Sequence, residues 1–172
     1  MPEHEAWREV VRSGGLPHTL KSIPLAVFLE KEARQLFSPD LSIEQHASVL
    51  SYAGTHPYIF KVLQAAFLRE RSHVRTEKIV RDVKNSLSSF FQDCVNQLRE
   101  PLEHQVLTCV IESDKPVNPR VVARAVGLPT IKPVADTLCA LGLVGRWIRD
   151  EEATLSAGSR LFEEWYRETL TA

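Results

Sequence analysis

Apolar residues recur at every third or fourth position over much of the chain, which is the spacing of one face of an α-helix. The longest such pattern begins after Thr76 and continues to Leu98, a length of about six helical turns. It predicts a single long helix that Thr76 caps and that buries one side. Its apolar positions are Ile79, Val80, Val83, Leu87, Phe90, Phe91, Cys94, Val95 and Leu98.

Start and stop signals divide the preceding chain into shorter helices. Residues 42–45 have the S-x-x-Q spacing of a capping box, and Gly54 ends the helix that they start. Pro57 suits the first position of the next helix, where its missing N–H has no intrahelical partner to lose. Apolar positions also predict a helix over residues 27–37. We therefore expect an all-α region of about four helices in residues 1–98.

The elements after this region follow a different order. A helix from Pro101 precedes a short helix over residues 119–126, which Asn118 caps and Gly127 ends. A third helix begins near Ile131. Two helices joined by so short a turn are typical of a helix-turn-helix.

A β-hairpin is predicted next, because two short apolar runs, residues 143–148 and 153–156, flank a charged tip. Ser159 then caps a final helix. The order predicts a winged helix-turn-helix in residues 99–172, and a mainly α-helical protein overall. We expect its hydrophobic centre to be separate from that of the preceding helices.

Composition and charge favour an ordinary soluble protein. Apolar residues make up 44% and charged residues 25% of the chain, and the net charge is −1. No strongly basic region supplies the footprint that nucleic-acid binding proteins usually carry. The acidic N-terminus has no secretory signal, and no apolar stretch has the length of a membrane span. We expect a cytoplasmic protein with no membrane partner.

Sequence motifs for catalysis or cofactor binding are missing. Neither G-x-x-x-x-G-K-[ST] nor G-x-G-x-x-G occurs, so the chain alone is not expected to hold a nucleoside triphosphate tightly. The three cysteines and six histidines have no metal-ligand spacing, and no G-x-S-x-G motif presents a nucleophile. We expect no catalytic residue, no metal site and no enzyme activity in this chain.

The helix-turn-helix region contains the residues best placed to contact a partner. In a DNA-binding protein of this kind, the helix after the turn reads the major groove. Its outward side carries few cations, and the acids at the hairpin tip oppose DNA, so we expect a structural or protein-contact role ahead of DNA binding. The candidate contact residues are Arg120, Arg124, Thr130, Lys132, Arg146 and Arg149.

Several stretches resemble the C-terminal part of STAND-class ATPases, which are signal-transducing relatives of the AAA+ proteins. The resemblance covers about residues 23–170 and depends on the order and spacing of these stretches. They are similar to the family's entry to a helical lid, to its glycine–proline segment and to the end of its winged helix. The stretches are Ile23–Leu25 with Glu30–Phe37, Tyr52–Ile59, and Leu138–Val144 with Arg160–Trp165.

The resemblance implies a helical lid in residues 1–98 and a winged helix in residues 99–172. It also implies that Gly54, His56 and Pro57 lie beside the base of a bound nucleotide, although the second glycine of the usual pattern is replaced by a threonine. The family's phosphate loop would precede this sequence, so ATP or ADP with magnesium is implied only if that core is present. The chain is then either a fragment or a remnant that works without ATP.

Three functions follow as expectations. The first is a non-catalytic regulatory module, in which lid and winged helix couple the state of a nucleotide-binding core, in the same or another chain, to a protein partner. The second is a winged-helix DNA-binding transcriptional regulator. The third is a dimerising scaffold, which would use the long apolar stripe ending at Leu98 and the aromatic pair Trp165 and Tyr166.

Overall fold

The computed structural model describes residues 36–54, 56–70, 75–149 and 152–171. Within these ranges the chain is mainly helical, with eight helices and one small two-stranded antiparallel sheet, which confirms the predicted fold class. The predicted lid entry at residues 23–25, nearly all of the predicted helix at 27–37, and Thr55 lie outside the described residues.

Four helices form the first half of the described chain. They are α1 (Ile43–Ala53), α2 (Pro57–Arg69), α3 (Thr76–Ser86) and α4 (Ser88–Asn96). The predicted capping box is confirmed, since the Gln45 backbone N–H donates to Ser42 Oγ at 3.2 Å and the Ser42 N–H donates to Gln45 Oε1 at 2.8 Å. Pro57 is the first residue of α2, as predicted.

Ser42→Ala is expected to lower the free energy of unfolding by about 1 kcal/mol, because it removes the side-chain cap of α1. Urea unfolding monitored by circular dichroism measures this loss. Ser48→Ala in the same helix is the matched control. Ser48 only donates to the Glu44 carbonyl, and alanine suits a helix interior, so its effect should stay within about 0.5 kcal/mol. Equal losses in the two variants would contradict the capping role.

The prediction of one long helix from Thr76 to Leu98 is wrong, because the helix is interrupted at Leu87. The Leu87 N–H is shared between the carbonyls of Val83, at 3.0 Å, and Lys84, at 3.2 Å, so the last turn of α3 tightens. Thr76 is also the first helical residue rather than the cap, a position taken by Arg75. The apolar stripe nevertheless stays buried across the break.

The second half contains the predicted helix, helix, helix, hairpin order. Its elements are α5 (Pro101–Glu112), α6 (Pro119–Ala125), α7 (Lys132–Ala140), β1 (Val144–Arg149), β2 (Glu152–Ala157) and α8 (Arg160–Thr171). Asn118 caps α6, since its Oδ1 accepts from the Arg120 N–H at 2.9 Å. Val117 pairs with Leu155 through two backbone hydrogen bonds of 2.8 Å and so extends the hairpin by one bridge. Ser159 accepts from the Phe162 N–H and caps α8, as predicted.

The buried side chains form one continuous cluster, so the expectation of two separate hydrophobic centres is wrong. The reason is α8, which packs against α1 and α3 on one side and against α5 and β2 on the other. Its buried residues are Leu161, Phe162, Trp165 and Tyr166. The division of the chain at residues 98 and 99 stays a prediction.

Candidate functional site

The turn between α1 and α2 holds the three residues that the resemblance places beside a nucleotide. Gly54 ends α1 with φ +56°, and His56 caps α2 by accepting from the Ile59 N–H at its Nδ1, at 3.4 Å. The imidazole is 5% exposed, whereas Gly54 and Pro57 are half-buried. Their place beside a nucleotide stays a prediction.

The His56 ring faces the second half of the chain. A Cβ at Gly142 would lie 2.5 Å from His56 Nε2, so the ring packs directly on the backbone of that glycine. The edge of the ring points toward Phe90, with 6.3 Å between the ring centroids. The surrounding side chains leave no cavity there, so His56 fills a packed position between α2, α4 and the start of the hairpin.

Two further glycines complete this contact: Gly54, a predicted site residue, and Gly158, which the sequence did not single out. A Cβ at Gly158 would lie 1.9 Å from the Gly142 carbonyl oxygen, and a Cβ at Gly54 would lie 3.4 Å from the Gly158 carbonyl oxygen. The Gly158 N–H donates to the Leu143 carbonyl at 2.9 Å. We call Gly54, His56, Gly142 and Gly158 the glycine–histidine junction.

Burial lowers the pKa of His56 from 6.5 to about 4, against a smaller opposing effect of its own backbone hydrogen bond. The imidazole is therefore neutral at pH 7. A neutral ring can accept the Ile59 N–H bond at Nδ1 only if its proton is on Nε2. The junction thus requires an uncharged histidine.

Four of the six predicted contact residues line one groove of about 460 Å³ between α6, α7 and β1. They are Arg120, Thr130, Lys132 and Arg146. Arg120 lies in the first turn of α6, Thr130 precedes α7, and Arg146 extends from β1. The floor includes small or buried apolar residues from α6, from α7 and the residue before it, and from β2, namely Ala123, Ile131, Ala135 and Ala153. We call this feature the α6–α7 groove.

Asp136 forms salt bridges with two of the three cations of the groove. Its carboxylate accepts from Lys132 Nζ at 2.8 Å and from Arg146 Nη2 at 2.7 Å. These hydrogen bonds, first from Lys132 and then from Arg146, lower the pKa of Asp136. Arg120 has no ion pair within the described part of the chain. The sequence did not single out Asp136 as the partner of both cations.

Of the other two predicted contact residues, one lies outside the groove and the other has a side chain that the structure does not describe. Arg124 is exposed on the opposite end of α6 and does not line the groove. Arg149 pairs with Glu152 in the backbone register of the hairpin, and its side chain lies outside the described part. The sequence did not single out the apolar floor, which depends on residues of three elements meeting in space.

The cysteines and acids do not assemble into a metal site within the described ranges. Cys94 is buried as predicted, while Cys109 and Cys139 are half-buried, and all three thiols are free. Burial raises the pKa of Cys94 and Cys139, which disfavours the reactive thiolate.

Comparisons with protein-family models, with curated proteins and with solved structures found no match to this chain. No helix of the described ranges is both long and apolar enough to cross a lipid bilayer.

Proposed function

We propose that this chain is a non-catalytic regulatory module, in which a helical lid and a winged helix move as one body and couple the state of a nucleotide-binding core to a partner. The glycine–histidine junction is the observation that carries the proposal. It locks the turn before α2 against the backbone at both ends of the hairpin, so a displacement of the lid helices displaces the hairpin as well.

Contacts made by α8 support the same rigid coupling. Trp165 Nε1 donates to Ser88 Oγ at 2.9 Å, and the Trp165 and Phe162 rings each lie 5.5 Å from Phe91 between centroids. Lys84 of α3 also pairs with Glu168 of α8. These contacts join the C-terminal helix to α3 and α4, which belong to the proposed lid.

Rigid coupling predicts a single unfolding transition. Trp165 reports on the contact with α4, provided that the other tryptophans are removed by Trp7→Phe and Trp147→Phe. Far-ultraviolet circular dichroism reports on all helices. We expect the two urea curves to coincide with one midpoint. A helical transition that precedes the loss of Trp165 fluorescence would show that the halves unfold separately, and would contradict motion as one body.

The proposal also requires that nucleotide binding needs a nucleotide-binding core outside these residues. Isothermal titration of the chain with MgATP should therefore show no binding at micromolar affinity, because the sequence has no phosphate loop to supply backbone N–H donors and a lysine. Micromolar binding by these 172 residues would overturn the assignment of the chain as a lid and winged helix. A catalytically competent P-loop ATPase serves as the positive control.

A second candidate, a DNA-binding regulator, draws support from the gathering of Arg120, Lys132 and Arg146 in one groove. Its test is a gel shift with duplex DNA at low and high salt. Salt-sensitive binding lost in an Arg146→Ala, Arg149→Ala double variant would favour it, because phosphate contacts release counterions. No shift at low salt would remove it.

The residues invoked for a dimerising scaffold are occupied within the chain. Most of the stripe from Ile79 to Leu98 is buried in the core, and Trp165 and Tyr166 are 7% and 6% exposed. This packing leaves those side chains little surface for a second copy. The dimerising scaffold therefore has the least support of the three functions.

A further inference from the structure

We infer that the α6–α7 groove binds an acidic peptide segment of a partner protein, with one apolar side chain of that segment on the groove floor and its carboxylates on Arg120, Lys132 and Arg146. This inference rests on the proposed role of the chain as a module that contacts a partner. It adds the place of contact and the chemistry of the partner.

The size and lining of the groove fit a short peptide. Its volume of about 460 Å³ falls in the range of about 300–1,000 Å³ that is usual for binding pockets. Ala123, Ala135 and Ala153 line it from α6, α7 and β2, beside Ile131, which is 1% exposed. An apolar side chain of a partner would complete the packing over this floor.

The charges at the rim select carboxylates. Three cations, Arg120, Lys132 and Arg146, and one carboxylate, that of Asp136, lie at the groove. The salt bridges of Asp136 with Lys132 and Arg146 are of the kind that a carboxylate of the partner would form. Arginine presents paired N–H donors that match a carboxylate. Arg120 has no ion-pair partner in the described part of the chain and is available to a bound acid, whereas Lys132 and Arg146 would share their N–H donors between that acid and Asp136.

Nucleic acid fits the same groove less well. A DNA backbone presents phosphates and sugars but no apolar side chain to cover the floor of Ala123, Ile131, Ala135 and Ala153. Asp136 and the net charge of −1 oppose phosphates and carboxylates alike, so these charges do not separate the two partners. The apolar floor is therefore the feature that favours a peptide with mixed acidic and apolar character.

Fluorescence anisotropy tests the inference with a fluorescein-labelled hexapeptide of five acidic residues and one central leucine. We expect saturable binding to the full chain. The same peptide with serine in place of leucine should bind at least about fivefold more weakly, because it lacks the group for the floor. A peptide with lysines in place of the acids should not bind.

Variants of the protein separate groove binding from general charge attraction. Arg120→Glu should weaken binding about tenfold or more, whereas Arg124→Glu makes the same charge change one helical turn away, outside the groove, and should weaken it clearly less because it removes no direct contact. Asp136→Asn should tighten binding several-fold, since it frees Lys132 and Arg146. Ala153→Leu should abolish the preference for leucine over serine, because it fills the floor. Each variant is used only if its unfolding midpoint shows that it is folded.

Three results would overturn the inference. The first is no peptide binding up to millimolar concentration, and the second is an equal loss of peptide affinity in Arg120→Glu and Arg124→Glu. The third is binding of labelled duplex DNA that Arg120→Glu weakens, while the same variant leaves peptide binding unchanged. In each case a single coincident unfolding transition, measured as described above, would leave the proposed regulatory module standing. Separate transitions together with peptide binding would instead remove the module and keep the groove.

Discussion

Gly158→Ala is expected to destabilise the chain by about 3 kcal/mol or more, and so to remove most or all of the stability of an ordinary domain. The added Cβ would lie 1.9 Å from the Gly142 carbonyl oxygen and 2.8 Å from the carbonyl carbon. Both are backbone atoms, so no side-chain rotation relieves the overlap. The strand end must move away from the hairpin start, which breaks the Gly158 to Leu143 hydrogen bond. Urea unfolding, or the soluble yield if the variant does not fold, measures the loss.

Gly127→Ala is the matched control for this prediction. Gly127 has φ +71°, but a Cβ there would meet no atom within 4 Å. The substitution therefore costs only the left-handed backbone strain of alanine, about 1 kcal/mol. If Gly127→Ala proved as harmful as Gly158→Ala, close packing at the junction would not be the cause.

Acid is expected to destabilise the protein through His56. The pKa of His56 is about 4 in the folded chain and 6.5 in the unfolded chain. Between pH 6.5 and pH 4, His56 is therefore protonated mainly in the unfolded chain, and this proton binding favours unfolding. The contribution of the neutral ring is complete above pH 6.5 and is lost as the pH falls toward 4. It amounts to about 3 kcal/mol over this window. Urea unfolding at a series of pH values between 7 and 4 measures the decline.

His56→Asn isolates this contribution. Asparagine caps a helix well and does not titrate. Between pH 7 and pH 4, the variant should therefore lose about 3 kcal/mol less of its free energy of unfolding than the wild type loses. Its stability at pH 7 will be lower because the smaller side chain leaves space beside Gly142. His104→Asn leaves the junction intact and should keep the wild-type decline. A His56→Asn variant with an unchanged decline would show that the buried ring is not the titrating group.

Local signals in the sequence were sufficient for several helix starts. Ser42 with Gln45, Pro57, Asn118 and Ser159 each act on backbone groups within about four residues, so their roles can be read without knowledge of the fold. Hydrophobic periodicity likewise identified most of the buried positions between Ile79 and Leu98, but not the buried face of α1, where Ile43 is 82% exposed. It failed at Leu87, where the stripe continues through a break in the helix, because burial of a face does not require an unbroken helical axis.

The sites depended on contacts between distant segments. Trp165 and Ser88 are 77 residues apart, and no local pattern indicates that α8 would join both halves into one core. Arg120, Lys132 and Arg146 were candidates as separate cations, but only packing of α6, α7 and β1 places them around one apolar floor with Asp136 between two of them.

His56 shows the same division between local and distant causes. Its position before Pro57 marks it as a helix cap, and this role involves only the next three residues. Its burial, its lowered pKa and its contact with Gly142 arise because Gly54, Gly142 and Gly158 allow two backbones to approach closely. Amino-acid order specified where most of the described helices begin, since capping acts over one turn. Three-dimensional packing decided which faces meet, since that depends on the shape of the whole chain.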